Sequence, residues 1–138
     1  MSEYAAIVHR ITSYVKHMSS ILLLCDQQNK QKESMIHILL HFLIPAIVVG
    51  LFFREEWKLA YFSMISTMLV DIDHLLADPV YDLGRCSIGF HPLHGFLPIA
   101  LYFSLCFIPK LRYVGIGLVI HMALDSLDCL MTNGVWFV

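Results

Sequence analysis

Four sets of histidine and aspartate stand at spacings that could do metal chemistry. His37 and His41 are one helical turn apart, Asp71 and His74 are three residues apart with Asp73 beside them, His91 and His94 are three apart, and His121, Asp125 and Asp128 follow at i, i+4 and i+7. On an α-helix each pair or triplet shares a face. Imidazole and carboxylate are the ligand set for zinc, iron and manganese, and such pairs on facing helices are how bundles build metal sites. The donors outnumber what one tetrahedral ion can use. One or two divalent ions are therefore expected, zinc first and iron or manganese as alternatives, with Asp73 or Asp128 as a base or as the group that orients a ligand.

Each residue also has a plainer reading. His37 and His41 could be interfacial side chains bonded to backbone carbonyls, and His91 could cap a helix that begins beside Pro92. Asp78 and Asp82 read as turn and cap residues. Asp71, His74, His94, His121 and Asp125 resist such explanations, because a buried carboxylate without a cation beside it should be protonated or absent. The four cysteines, Cys25, Cys86, Cys106 and Cys129, lie far apart with no C-x-x-C pair, so neither a disulfide framework nor a thiolate zinc site is expected. Cys86, in a loop between candidate ligands, is the one cysteine that could join them.

These residues need a scaffold, and the composition says which kind. Of 138 residues, 58% are hydrophobic and only 14% charged, more apolar surface than a soluble domain of this size could hide. The formal charge of -2, with basic residues scattered singly or in pairs, leaves no field for nucleic acid. Apolar segments run from Met35 to about Phe53, from Trp57 to about Ala77, from Pro92 to Ile108 and from Leu111 to Met131. Each approaches the roughly 20 residues that a membrane helix needs. Pro45 inside the first is tolerated with a kink. The expected fold is all-α, an integral membrane antiparallel four-helix bundle, with Gly115 and Gly117 allowing close helix approach. The aromatic residues Phe52, Phe53, Trp57, Tyr61, Tyr102, Phe103 and Phe107 read as lipid-facing or interfacial, and the composition is compatible with a homo-oligomer.

The first 34 residues differ. Ile7, Val8, Ile11, Tyr14, Val15, Met18, Ile21 and Leu22 recur at helical spacing, with Glu3, Arg10, Ser13 and Lys16 on the other side, which predicts an amphipathic helix on the membrane surface. A signal peptide fits poorly, because the apolar core from Ile21 to Cys25 is short and no small-residue cleavage site follows. A competing reading takes Met35 as the natural start.

Antiparallel threading puts the start of the first span, the end of the second, the start of the third and the later half of the fourth at one membrane face. All the candidate ligands fall there. The other end carries Arg54-Glu55-Glu56 and Lys110-Leu111-Arg112 and no histidine. Basic residues are nearly balanced between the faces, with a slight lean toward the short basic turns being cytoplasmic. Titratable residues inside membrane segments cost roughly 2.5 to 3.5 kcal/mol each on insertion scales and mark function.

The sequences V-D-I-D-H, F-H-P-L-H-G and I-H-M-A-L-D, assembled in this order over about Met35 to Met131, resemble bacterial inner-membrane proteins regarded as metal-dependent hydrolases. These are the YdjM-like, or LexA-binding membrane-associated, group, and the likeness is to a short relative within it. In that group serine commonly follows the second histidine of H-P-x-H; Gly95 stands here. The resemblance implies a hydrolase of the bacterial inner membrane, with Asp71, Asp73, His74, His91, His94, His121, Asp125 and His41 carried over to its site. The expected activity is cleavage of an ester or phosphoester, naturally of a lipid, with Asp73 or Asp128 as general base and His91 or Arg85 near the leaving group or phosphate. Two rivals stand beside it. A di-iron oxidoreductase would carry several histidine boxes, of which only His37-x-x-x-His41 is present; a non-enzymatic metal-binding protein would saturate its ion with ligands.

Overall fold

Runs of apolar residues broken by Gly, Pro and charged turns fold, in the computed structural model, into helices with no strand among the described residues. The structure describes residues 2–80, 82 and 84–138, and the side chains of all of these except 2–8, 11, 30 and 33. The α-helices are α1 (Ser2–Phe52), α2 (Trp57–Ser66), α3 (Phe96–Leu105) and α4 (Arg112–Asn133). The chain divides into two compact units, Met1–Met35 and Ile36–Val138.

In the first unit Tyr14, Val15, Met18, Ile21 and Leu22 are exposed, and so are Arg10, Ser13 and Lys16. The side chains of Glu3, Ile7, Val8 and Ile11, which belong to the same expected stripe, lie outside the described residues.

The second unit holds every candidate ligand. From α1 it takes a narrow inward line, His41, Pro45 and Val49, at the four-residue step of an α-helix. From α2 onward the step changes. Buried positions fall at Met64, Thr67, Val70 and Asp73, every third residue, because α2 tightens into a 3-10 helix over Thr67–Leu76. The Ser66 hydroxyl donates to the Ser63 carbonyl at 2.8 Å and that of Thr67 to Met64 at 2.6 Å, back-bonds placed where the helix narrows. The expected uniform helix from Trp57 to Ala77 is thus half α and half 3-10.

The third expected segment, Pro92 to Ile108, is helical only over Phe96–Leu105. Gly95 is extended (φ -78°, ψ 165°) and Pro98 lies in the first turn of α3, where its missing N–H costs nothing. Ten residues rise about 15 Å, half of a hydrocarbon core. Among the described residues, three helical stretches are long and apolar enough to cross a membrane, Thr12–Phe52, Trp57–Leu76 and Arg112–Asn133, with Phe96–Leu105 shorter.

α4 is the central element, packing on both α2 and α3. A Cβ on Gly115 would come within 2.6 Å of the Cys106 nitrogen, and one on Gly117 within 2.8 Å of the Met64 Cα, so both glycines admit backbone where no side chain fits. α4 ends at Gly134, whose φ of 71° and N–H to the Leu130 carbonyl form a left-handed cap. Val70, Tyr102, Leu118 and Met122 form one apolar cluster and Val49, Ala60, Met64 and Tyr113 another. Tyr102 therefore departs from its expected lipid-facing place: it is buried, and its hydroxyl donates to the Leu93 carbonyl at 3.0 Å. Tyr61 and Phe53 pack against the second cluster, whereas Phe52, Trp57, Phe103 and Phe107 are exposed. At the end with no histidine, Arg112 donates to the Tyr113 hydroxyl, which donates to Glu56.

Candidate metal centre

Three separate stretches supply the centre: the 3-10 helix brings Asp71, a single 3-10 turn over Pro92–His94 brings His94, and α4 brings His121 and Asp125. Asp71 Oδ1 lies 3.0 Å from His121 Nε2 and 3.3 Å from His94 Nε2, while Asp125 Oδ2 lies 3.0 Å from His94 Nε2 and 3.4 Å from His121 Nε2. Four bonds of zinc-like length arranged as a tetrahedron have edges of about 3.3 Å. Four of the six distances among the donor atoms stand near that spacing, and all six are within 4.8 Å.

The hydrogen-bond roles point the same way. Asp73 Oδ2 lies 3.2 Å from His94 Nδ1 and also accepts the Leu93 N–H at 2.7 Å. An ionised carboxylate only accepts, so in the neutral ring the His94 proton belongs on Nδ1 and the Nε2 lone pair faces Asp71 and Asp125. That Nε2 and Asp125 Oδ2 are both buried without a hydrogen-bond partner, although they are 3.0 Å apart: distance permits a bond and angle forbids it. Lone pairs set against one another in a buried site call for a cation between them. The donor set fits a divalent metal.

A second group adjoins it. Asp125 Oδ1 lies 3.1 Å from His37 Nε2 and 3.4 Å from His41 Nε2. His41 Nδ1 donates to the His37 carbonyl at 3.0 Å, as one plain reading of the sequence expected, but this leaves its buried Nε2 facing the carboxylate with no hydrogen-bond partner. Asp128 stands behind His37, its Oδ1 3.7 Å from Nδ1. Histidines backed by a carboxylate or a carbonyl are the usual form of metal-ligating imidazoles.

His74 and His91 lie outside these two groups. His74 Nδ1 is 3.2 Å from Asp73 Oδ1 and 3.7 Å from Asp71 Oδ1, and its Nε2 is 3.2 Å from the Ser87 hydroxyl. Asp73, His74 and His94 form a third cluster of donors, within which His94 Nδ1 already faces Asp73 Oδ2. His91 stacks on His74 with ring centroids 3.9 Å apart. Burial, with the neighbouring His74 adding to it, holds His91 below its ordinary value. The Arg85 guanidinium donates to the Pro79 carbonyl at 2.7 Å, lies 3.8 Å from Asp82 and covers the Phe90 ring. Asp82 keeps its expected turn role, accepting the Gly84 N–H at 2.9 Å.

The cysteine expectation needs correction. Cys86 and Cys129 form a disulfide, with Cα atoms 5.0 Å apart across 43 residues, so Cys86 is no ligand candidate. No local spacing announces it, because only the folding of the loop onto α4 brings the two together. The bond ties the residue before Ser87 to the turn of α4 after Asp125. Ser87 and Leu93 are the other site neighbours that sequence reasoning missed, and neither type nor spacing marks them.

The model of a family of unknown function, DUF6122, matches residues 32–132. The chain belongs to that family. The span matched to DUF6122 contains every candidate ligand from His37 to Asp128. No curated protein and no solved structure matches this DUF6122 chain.

Proposed function

We propose that this chain is a membrane-embedded, metal-dependent hydrolase that cleaves an ester or phosphoester of a lipid at one membrane face. The observation that carries the reading is the convergence of Asp71, His94, His121 and Asp125, in which the buried His94 Nε2 and Asp125 Oδ2 face each other without a hydrogen bond. A divalent ion held there, zinc by the ligand set, supplies Lewis acidity and lowers the pKa of water toward neutrality. The chain's own residues do the rest. Asp73 holds the His94 ring and its proton, Asp128 stands behind His37 and is open enough to take up a proton, and His91 can accept or pass one from beside His74.

The membrane setting is supported by an inverted surface. Leu69, Ile72, Leu97, Leu101, Phe103 and Phe107 are exposed, while His41, Asp73, His91, His94, His121 and Asp125 are buried. Hydrocarbon is the solvent that makes such a distribution stable. In this reading α3 with its flanking turns completes a fourth crossing, and the membrane is the bacterial inner membrane. Disulfides form and persist in oxidising compartments, so the Cys86–Cys129 bond supports a metal face on the oxidising side. An apolar cleft of about 330 Å³, lined among others by Phe96, Ile99, Met122 and Phe137, offers room for an acyl chain close in sequence to His94 and Asp125. The likeness of V-D-I-D-H and H-P-L-H to the YdjM-like group supports hydrolysis over other metal chemistry.

The test is elemental analysis of detergent-purified protein followed by a screen against ester- and phosphoester-labelled lipids. Bound zinc with turnover of one class is expected. Iron with an oxygen-dependent optical spectrum would transfer the site to oxidation chemistry, and a chain that binds no metal would remove the reading altogether.

A further inference from the structure

Resting on the metal reading above, we propose that Asp125 is a bridging ligand between two ions, one held with Asp71, His94 and His121 and the other with His37 and His41. The two oxygens of this carboxylate are divided between two sets of nitrogens. Oδ2 faces His94 and His121 at 3.0 and 3.4 Å; Oδ1 faces His37 and His41 at 3.1 and 3.4 Å. Both sets use Nε2, and in both the opposite side of a ring is already occupied: Asp73 behind His94, Asp128 behind His37, the His37 carbonyl behind His41.

One ion cannot satisfy this arrangement. His41 is only 4% exposed, and its Nδ1 must carry the proton because a carbonyl can only accept. In the neutral ring Nε2 then presents a lone pair to a carboxylate oxygen inside the protein, without hydrogen-bond geometry. An ion among the four donors of the first group meets Oδ2 and leaves that opposition in place. A second ion on the Oδ1 side removes it. Bridged pairs of this kind lie about 3.5–4 Å apart, close enough to be magnetically coupled.

That coupling gives the test a readout separate from activity. Full-length protein in detergent is loaded with Mn(II) alone, the bound metal is counted, and low-temperature electron paramagnetic resonance is recorded. Two ions per chain with an exchange-coupled multiline spectrum are expected. His41→Gln and the half-exposed His37→Gln should each reduce the count to one and leave the six-line spectrum of an isolated ion; the second variant guards against misfolding of the first. One ion per chain in the unsubstituted protein, or two ions without coupling, overturns the bridge and leaves the proposed hydrolase standing. No ion in a chain with intact helical circular dichroism overturns both.

Discussion

Asp73 and His94 meet across 21 residues of sequence, Oδ2 3.2 Å from Nδ1, on the side of the ring turned away from Asp71 and Asp125. Asp73 accepts the Leu93 N–H as well, which anchors the carboxylate to the turn that carries His94. The pair fixes which nitrogen of a buried imidazole bears the proton, and with it the direction of the lone pair.

Asp73→Asn should therefore weaken metal affinity by about tenfold to a hundredfold without emptying the site, the usual cost of losing a partner behind a ligand. Competition titration against a chelator measures it. An affinity equal to that of the unsubstituted protein would show that Asp73 serves packing alone.

Asp71→Asn and His94→Ala remove donors from the four-ligand group and should abolish lipid turnover while membrane insertion is retained. Both variants are to be compared for hydrolysis rate and for partitioning into the membrane fraction. Activity surviving in both would detach these residues from the chemistry.

Gly117→Ala would put a methyl group 2.8 Å from the Met64 Cα and 3.0 Å from its carbonyl oxygen, backbone that can yield only if α2 moves away from α4. A loss of about 1–3 kcal/mol of stability is expected, the range for overpacking a well-filled contact. Thermal unfolding in detergent reads it. At Gly134, where open space surrounds the Cα, alanine should cost stability only through the positive φ of 71°.

The disulfide predicts the redox state of two buried thiols. In acid-quenched, denatured cells Cys86 and Cys129 should be alkylated by a maleimide only after reduction, as expected of a bond formed in an oxidising compartment. Alkylation of both without a reductant would mean that the bond is not formed in the cell and would remove the support for an oxidising side.

Much of this protein was legible in its residues alone. Apolar runs broken by Gly, Pro and charged turns specify helices in almost any context, and helices joined by short turns must run antiparallel. Those two facts are enough to bring His41, Asp71, His94, His121 and Asp125 to one end, where the structure gathers them. The finer decisions are tertiary. Asp71, Asp73 and His74 could not be assigned to their roles from an α-helical wheel, because Thr67–Leu76 winds with a three-residue period and turns Asp73 inward. Nor could sequence divide ligands from the groups behind them. A histidine has two nitrogens, and which one faces the site depends on what packs against the other: Asp73 for His94, a helix carbonyl for His41, Ser87 and Asp73 for His74. The disulfide is the same kind of fact, since a separation of 43 residues carries no signal until the loop closes on α4. Residue type and local period are properties of the chain by itself, whereas proton position, ligand partition and long-range pairing arise only where distant segments touch.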